Sequence, residues 1–418
     1  MKTRKPSKLV IFLTVFIDLV GFGIVLPLLP IYSKNLGASG FAIGAIMAAY
    51  SAMQFLFAPV WGRLSDRIGR RPVLLVSIAG SALSYGLFAY GSTLAGTAGL
   101  TVLLISRVLA GIGGANISVA QAYIADITPP EKRSQSMGLI GMAFGLGFIF
   151  GPALGALALR WFGIQGPGWM AAGLCIFDFV LALFILGESW NPGAAPVAPR
   201  PRWQQWLHTL GQPRIGLLIV LFFLATFAFT CFETTLGLLV ARNFHLDSTK
   251  AEDAKTIGYL FAYCGVIGAF VQGGAIGRAV KKLGEPRLIT VSLVLTAASL
   301  APLPFVAGWT GLLLVLALLA IGSSLTRAPI FGMISILTPA HEQGGTIGVA
   351  QSFGSLARIA GPIFAATLFT VNPKIPYLLC AAVSLVAAGL AWAKLGASVP
   401  TAAVAETTTA AATETARS

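Results

Sequence analysis

The chain has 418 residues, of which 56% are hydrophobic and only 10% charged, with a mean hydropathy of +0.84. A water-soluble domain is about a quarter charged, so this composition excludes a dissolved globular protein and requires lipid over much of the surface. A net charge of +14 and a pI near 10.0 would suit a nucleic-acid binder, but the placement of the basic residues argues against one and assigns them to topology.

A bilayer core about 30 Å thick needs about 20 apolar residues per helix. The apolar stretches predict an all-α membrane protein with twelve transmembrane helices, at 8–32, 41–61, 73–91, 99–124, 135–159, 168–187, 214–240, 256–280, 287–307, 310–334, 345–370 and 375–396. With both termini cytoplasmic, Lys2, Arg4, Lys5, Lys8, Arg63, Arg67, Arg70, Arg71, Lys132 and Arg133 all lie inside. Only Lys34, Arg160, Arg242, Lys250, Lys255 and Lys374 fall outside, which is the positive-inside pattern.

The first span begins like a signal peptide, but its apolar run is too long, carries Asp18 and lacks a small-x-small cleavage site, so it reads as a retained helix. Asp18 stands about ten residues in, near mid-membrane at about 1.5 Å per residue. A charged, unpaired acid there costs several kcal/mol, so it should face a water-filled cavity or carry a proton. A buried acid with a purely structural hydrogen bond is the other reading.

Gln54 lies in the second span, and a loop follows it, Gly62-Arg63-Leu64-Ser65-Asp66-Arg67-Ile68-Gly69-Arg70-Arg71-Pro72. Gly62 and Gly69 allow helix ends to approach, Asp66 is an anion able to meet a helix N-terminus, and the arginines can grip carboxylates at two points. A plain basic anchor would need neither the glycines nor Asp66. The fourth span carries Arg107, a lone cation in apolar surroundings, then Gly111, Gly113, Gly114, Asn116 and Gln121, and ends at Asp126. The fifth carries Gly141, Gly145, Gly147, Gly151, Pro152 and Gly155, which by spacing alone indicates tight helix packing with a bend at Pro152.

Residues 188–213 change character. A Pro- and Ala-rich linker leads into Trp203, Trp206, Leu207 and Leu210, whose helical spacing predicts a short amphipathic helix on the inner membrane surface; an irregular loop with two interfacial tryptophans is the alternative. Further intramembrane polar residues are Asp178, Glu233, Arg327 and Arg358; of these, Glu233 and Arg358 join Gln54, Asn116 and Gln121 as candidates for a substrate cavity. Cys175, Cys231, Cys264 and Cys380 read as packing residues, and His208, His245 and His341 give no metal or catalytic spacing. No cofactor, metal or enzymatic chemistry is expected.

The two halves are related. Thr128-Pro129 and Gly151-Pro152 recur as Thr338-Pro339 and Gly361-Pro362, displaced by 210 residues, and Gly138 recurs as Gly348. The loop after the second span has a worn copy, Gly277 to Gly284, in which Lys281 replaces the acid. The expected organisation is therefore two pseudo-symmetric six-helix bundles at 1–187 and 214–396, a linker at 188–213 and a disordered tail at 397–418.

The Gly62–Pro72 stretch resembles the signature loop of the major facilitator superfamily, and the first span resembles that of its twelve-helix drug/H⁺ antiporters. The resemblance covers about residues 8–396 and is sharpest to tetracycline/H⁺ antiporters, through Gln54 to Pro59 and the loop beyond. It implies that Asp66 caps the eleventh helix in the outward-facing state and that Arg70 pairs with Asp126, so that the contacts latch the halves. It also links Arg107 to proton coupling, and the Gly147, Gly151, Pro152 and Gly155 pattern marks antiporters. The expectation is a monomeric, proton-driven exporter of drugs or small amphipathic compounds in a bacterial inner membrane, with a proton-coupled importer of a small metabolite as the alternative. A membrane sensor or enzyme is more remote, since no loop is long enough for a soluble domain. Two positions depart from the tetracycline pattern: Ser84 stands where an acid is usual, and the ninth span contains none.

Overall fold

The computed structural model describes residues 5–190, 202–245 and 251–395, apart from 27, 30, 31, 34, 35 and 39, with backbone alone for 40, 41, 43, 202, 203 and 251–255. The expected tail and residues 191–201 of the linker lie outside these residues. Twelve helices among those described are long and apolar enough to cross a membrane. In hydrocarbon each backbone N–H and C=O must be satisfied within the segment, which is why apolar stretches of this length become helices.

The first six are α1 (Lys8–Val25), α2 (Gly40–Ile68), α3 (Arg70–Gly91), α4 (Gly96–Asp126), α5 (Arg133–Phe162) and α6 (Gly166–Ile185). The second six are α7 (Pro213–Asn243), α8 (Ala251–Phe270, continued through Val271–Ala275 to Leu283), α9 (Glu285–Leu300), α10 (Trp309–Leu337), α11 (Gln343–Val371) and α12 (Ile375–Leu395). Within the first bundle α1 packs on α5 and α6, α3 on α4 and α6, and α2 on α4; α7, α9, α10, α11 and α12 interlock likewise in the second. The bundles meet through α2 with α11, α5 with α8 and α10, and α4 with α11. Large apolar side chains point outward from α3 (Leu83), α6 (Phe177) and α12 (Trp392), the surface that lipid covers.

Several expected boundaries shift for physical reasons. α1 stops at Val25 rather than 32, as prolines follow at 27 and 30. The signature stretch is not a loop: α2 stays helical through Ile68, and Gly69 alone, at φ 98°, turns the chain into α3 at Arg70. Only glycine adopts that backbone without strain. α4 tightens into a 3₁₀ turn at Gly114–Asn116, and α8 widens into a π turn at Val271–Ala275, where Gln272 passes Gly138 of α5. α9 ends seven residues early, its last turn replaced by a 3₁₀ turn at Leu303–Phe305 that follows Pro302 and contains Pro304. Pro152 does not break α5, which runs through it.

The linker segment forms a helix at Arg202–Gly211, but it does not simply lie on lipid. Trp206 inserts between Phe55 of α2 and Phe353 of α11, ring centroids 5.3 and 5.6 Å away, and Thr209 is fully buried. Leu207, in contrast, is exposed. Indole surface is better covered by the aromatic seam between bundles than by the interface, so the helix straps that seam.

Candidate functional site

Three polar constellations cross the apolar core. The first lies at the basic end of the bundle, where α2, α4 and α11 converge. Asp66 accepts hydrogen bonds from the backbone N–H groups of Gly344 (3.0 Å) and Gly345 (2.8 Å), which are otherwise unpaired donors at the start of α11. The fully buried Arg70 bridges Asp66 and Asp126 (Nε to Oδ2, 3.0 Å) and also donates to Ser65 Oγ. A Cβ at Gly62 would overlap the Gly344 carbonyl, so the two backbones touch only because both positions are glycine. Gly62, Asp66, Gly69, Arg70 and Asp126 thus lie together at one junction.

Glu188 was missed in the sequence. Its carboxylate accepts from the N–H groups of Arg70 and Arg71 and so caps α3, while Ser189 donates to Asp126. It stands 118 residues from Arg70, and no local spacing announces a cap supplied from so far away. At the pseudo-symmetric contact Lys281 cannot cap α5. Instead Ser134 donates to Glu285 (3.1 Å), and Arg133 Nη1 reaches the Ser335 carbonyl near the end of α10 (2.8 Å).

The second constellation surrounds Asp18, which is 8% exposed. It sits inside the first bundle, with Ser81 of α3 and Asn116 of α4 placed to donate to its carboxylate. Tyr50, Tyr85 and Cys175 complete the surround. Among the described residues Asp18 forms no ion pair. Asp178 of α6 is near enough to repel it, is fully buried, and neither of its oxygens makes a geometrically sound hydrogen bond, although Thr14 is adjacent. Arg107 does not neutralise Asp18: its guanidinium lies 5.6 Å from the Tyr85 ring centre and 5.4 Å from that of Phe88, and Nε and Nη2 have no hydrogen-bond partner.

The third constellation is the cleft between bundles, lined by Gln54, Gly114, Ser118, Gln351, Ser355 and Arg358 among others. Arg358 donates to Gln54 Oε1 (3.2 Å), and Gln54 Nε2 donates to Tyr50 Oη and to the Gly114 carbonyl (2.9 Å each). Gln351 bridges Gln121 Oε1 (2.7 Å) and Arg327 (3.3 Å). Glu233 of α7 is close enough to Arg358 to feel its charge. Gln54, Gln121, Glu233 and Arg358 therefore share one region, while Asn116 belongs to the Asp18 pocket and Tyr50 joins the two. Gln351, Ser355 and Arg358 lie on one face of α11 by their i, i+4, i+7 spacing, a signal that was legible but unused. A recess at the far end, lined by Phe162, Gln165, Gly166, Trp169 and Met170, holds none of these residues.

The glycine pattern of α5 holds α1 in place. A Cβ at Gly151 would stand 2.5 Å from the Gly23 carbonyl carbon, one at Gly155 2.9 Å from the Ile24 oxygen, and one at Gly147 3.0 Å from the Leu19 backbone. The obstacle in each case is backbone, which cannot swing aside. Gly151→Leu should therefore lower thermal stability in detergent, by about 1–3 kcal/mol for an overpacked contact. Gly173→Leu, where a Cβ meets nothing within 4 Å, should leave it unchanged. Melting both variants beside the parent checks this.

Twelve membrane-length helices packed around buried ionisable groups are the architecture of a membrane transporter. The Major Facilitator Superfamily profile matches residues 11–284 and 273–416, and the chain belongs to that superfamily. It is 34% identical over 367 residues, 86% of each chain, to the class E tetracycline resistance protein of Escherichia coli. It is 28% identical to multidrug resistance protein 2 of Bacillus subtilis, across 93% of this chain and 94% of that one. The crystal structure of the human organic anion transporter MFSD10 superposes with a TM-score of 0.79 at 25% identity, covering 93% of this chain and all of that one. The protein is thus a multi-pass transporter of this superfamily with drug-efflux relatives.

Proposed function

We propose that this protein exports small amphipathic compounds from a bacterial cytoplasm in exchange for protons, working as a monomer in the inner membrane with its basic end inward. What carries the reading is Asp18, an enclosed carboxylate at mid-membrane with two neutral donors and no cation beside it. Such a group is held at lowest cost as the neutral acid and ionises when water reaches it. Asp18 acts on Tyr50 through its charge, and hydrogen bonds lead from Tyr50 through Gln54 to Arg358, so a change of charge at Asp18 has a route to the second bundle.

Alternating access supplies the exposure. The units 1–187 and 214–396 rock about the seam, and the Asp66–Arg70–Asp126 latch with the Gly62–Gly344 contact holds the basic end shut in one state. The hydrogen bonds across the seam from Phe55–Ser352 to Asp66–Gly345 run along the basic part of α2, which supports a state closed at that end. The relatives' names support efflux as the direction. Tetracycline itself is disfavoured, because Ser84 is buried, bonds its own helix at Gly80 and Ser81, and offers no charge.

The test is accumulation of fluorescent dyes and antibiotics in a pump-deficient bacterial strain. Expression should lower intracellular accumulation of at least one compound, and an uncoupler should restore it. Lowered accumulation that persists after uncoupling would refute proton exchange.

A further inference from the structure

The interbundle cleft contains more positive charge than its own residues balance. Arg327 of α10 and Arg358 of α11 lie close enough to repel each other, and neither is fully buried; Arg358 lines the cleft and Arg327 holds Gln351, which lines it too. Their hydrogen-bond partners are neutral. Arg358 holds the Gln54 amide oxygen and the Ser355 hydroxyl, Arg327 holds the Gln351 amide oxygen, and Arg327 Nε has no partner. Glu233 is close enough to Arg358 to feel its charge, yet among the described residues it forms no ion pair with either arginine.

Taking a guanidinium out of water costs several kcal/mol, and an amide oxygen returns less of that than a carboxylate, whose charge-assisted bonds are about twice as strong. Two such cations side by side compound the cost. The cleft therefore offers a seat that an anion would fill by displacing the amide oxygens of Gln54 and Gln351. Around Arg327 the walls are aromatic: Phe144 of α5 lies 4.7 Å from the guanidinium carbon, with Phe222 of α7 and Phe331 at 5.6 Å. These rings come from both bundles and flank the cation with flat apolar surface.

We propose that Arg327 and Arg358 form an anion seat and that the transported compounds carry a carboxylate or comparable acidic group on an aromatic body. The inference rests on the cleft being the transport route. It also accounts for a further link: anion binding would release Gln54 from Arg358, and Gln54 contacts Tyr50 beside Asp18. Substrate arrival would thereby loosen the hydrogen bonding next to the proton site.

The test compares 2-naphthoate with 2-naphthylmethylammonium, one ring system with opposite charge, by calorimetric binding to the full chain in nanodiscs, with empty nanodiscs subtracted. The parent should bind the acid at least about tenfold more tightly than the amine. Arg358→Gln and Arg327→Gln should each weaken the acid by about tenfold or more, while Arg358→Lys, which keeps the charge, should lose less. Equal binding of the two probes, preference for the amine, or unchanged naphthoate affinity in both folded glutamine variants would overturn the proposal. The acid–amine comparison needs no variant, so misfolding of a variant leaves it intact. Binding at equilibrium needs no proton gradient, so naphthoate binding without gradient-driven movement would fault the exchange reading and not the seat.

Discussion

Asp18→Asn is expected to end uphill transport while leaving the protein inserted and able to exchange substrate. Asparagine has the shape of aspartate and still meets Ser81 and Asn116, so the pocket should persist. What it cannot do is gain or lose a proton. A pH difference of one unit supplies about 1.4 kcal/mol per proton, enough for about a tenfold substrate gradient. In proteoliposomes with an imposed pH gradient, the parent should approach that accumulation for each proton exchanged, and the variant should fall to equal concentrations on the two sides. Counterflow of labelled against unlabelled substrate, which needs no net proton movement, should continue. Gradient-driven accumulation by the variant would remove Asp18 from the coupling step, and loss of counterflow as well would indicate a collapsed pocket. Asp178→Asn is the informative companion, since that acid lies beside Asp18 yet is sealed from the cleft.

The second large effect is at the latch. Asp66→Asn removes the charge that faces Arg70 and leaves one oxygen to serve the two N–H groups of Gly344 and Gly345. Arg70 keeps Asp126 and Ser65, so the loss is that of one charge-assisted contact, about 1.5–3 kcal/mol, rather than that of a charge left unpaired. Here that cost falls on the state in which the basic end is closed. Even about 1.5 kcal/mol would shift the balance between states about tenfold toward the form open at that end. Spin labels at the basic ends of α2 and α11 should report a longer distance in the variant, turnover should drop, and substrate affinity at equilibrium should change little. An unaltered distance distribution, or a selective loss of binding with turnover per bound substrate intact, would refute the latch.

Some of this was readable from residue types and spacing because it depends on solvent and local geometry. Lipid demands long apolar helices, so the twelve spans follow from hydropathy alone, with their ends blurred where polar residues such as Arg63 to Arg67 extend a helix past the bilayer. The Gly62–Arg71 signature, its worn repeat and the mid-membrane acid are local patterns with a direct physical meaning. The partnership of Asp66 with residues 344 and 345 was legible only through family resemblance, because nothing near Asp66 in the chain specifies a helix 278 residues away.

Other features belong to the tertiary structure alone. Packing of α1 against α3, α4 and α6 decided that Asp18 is enclosed rather than open to the cleft. Close approach of α11 to α2 and α4 turned Gln54, Gln121 and Gln351 into bridges, and left Arg327 and Arg358 facing amides where charge balance calls for an acid. Arg107 proved to rest on Tyr85 and Phe88, a choice of neighbour that no linear spacing encodes. Periodicity and hydropathy depend on a residue and its nearest turns. The partner of a buried charge depends instead on which distant helix the fold brings alongside it.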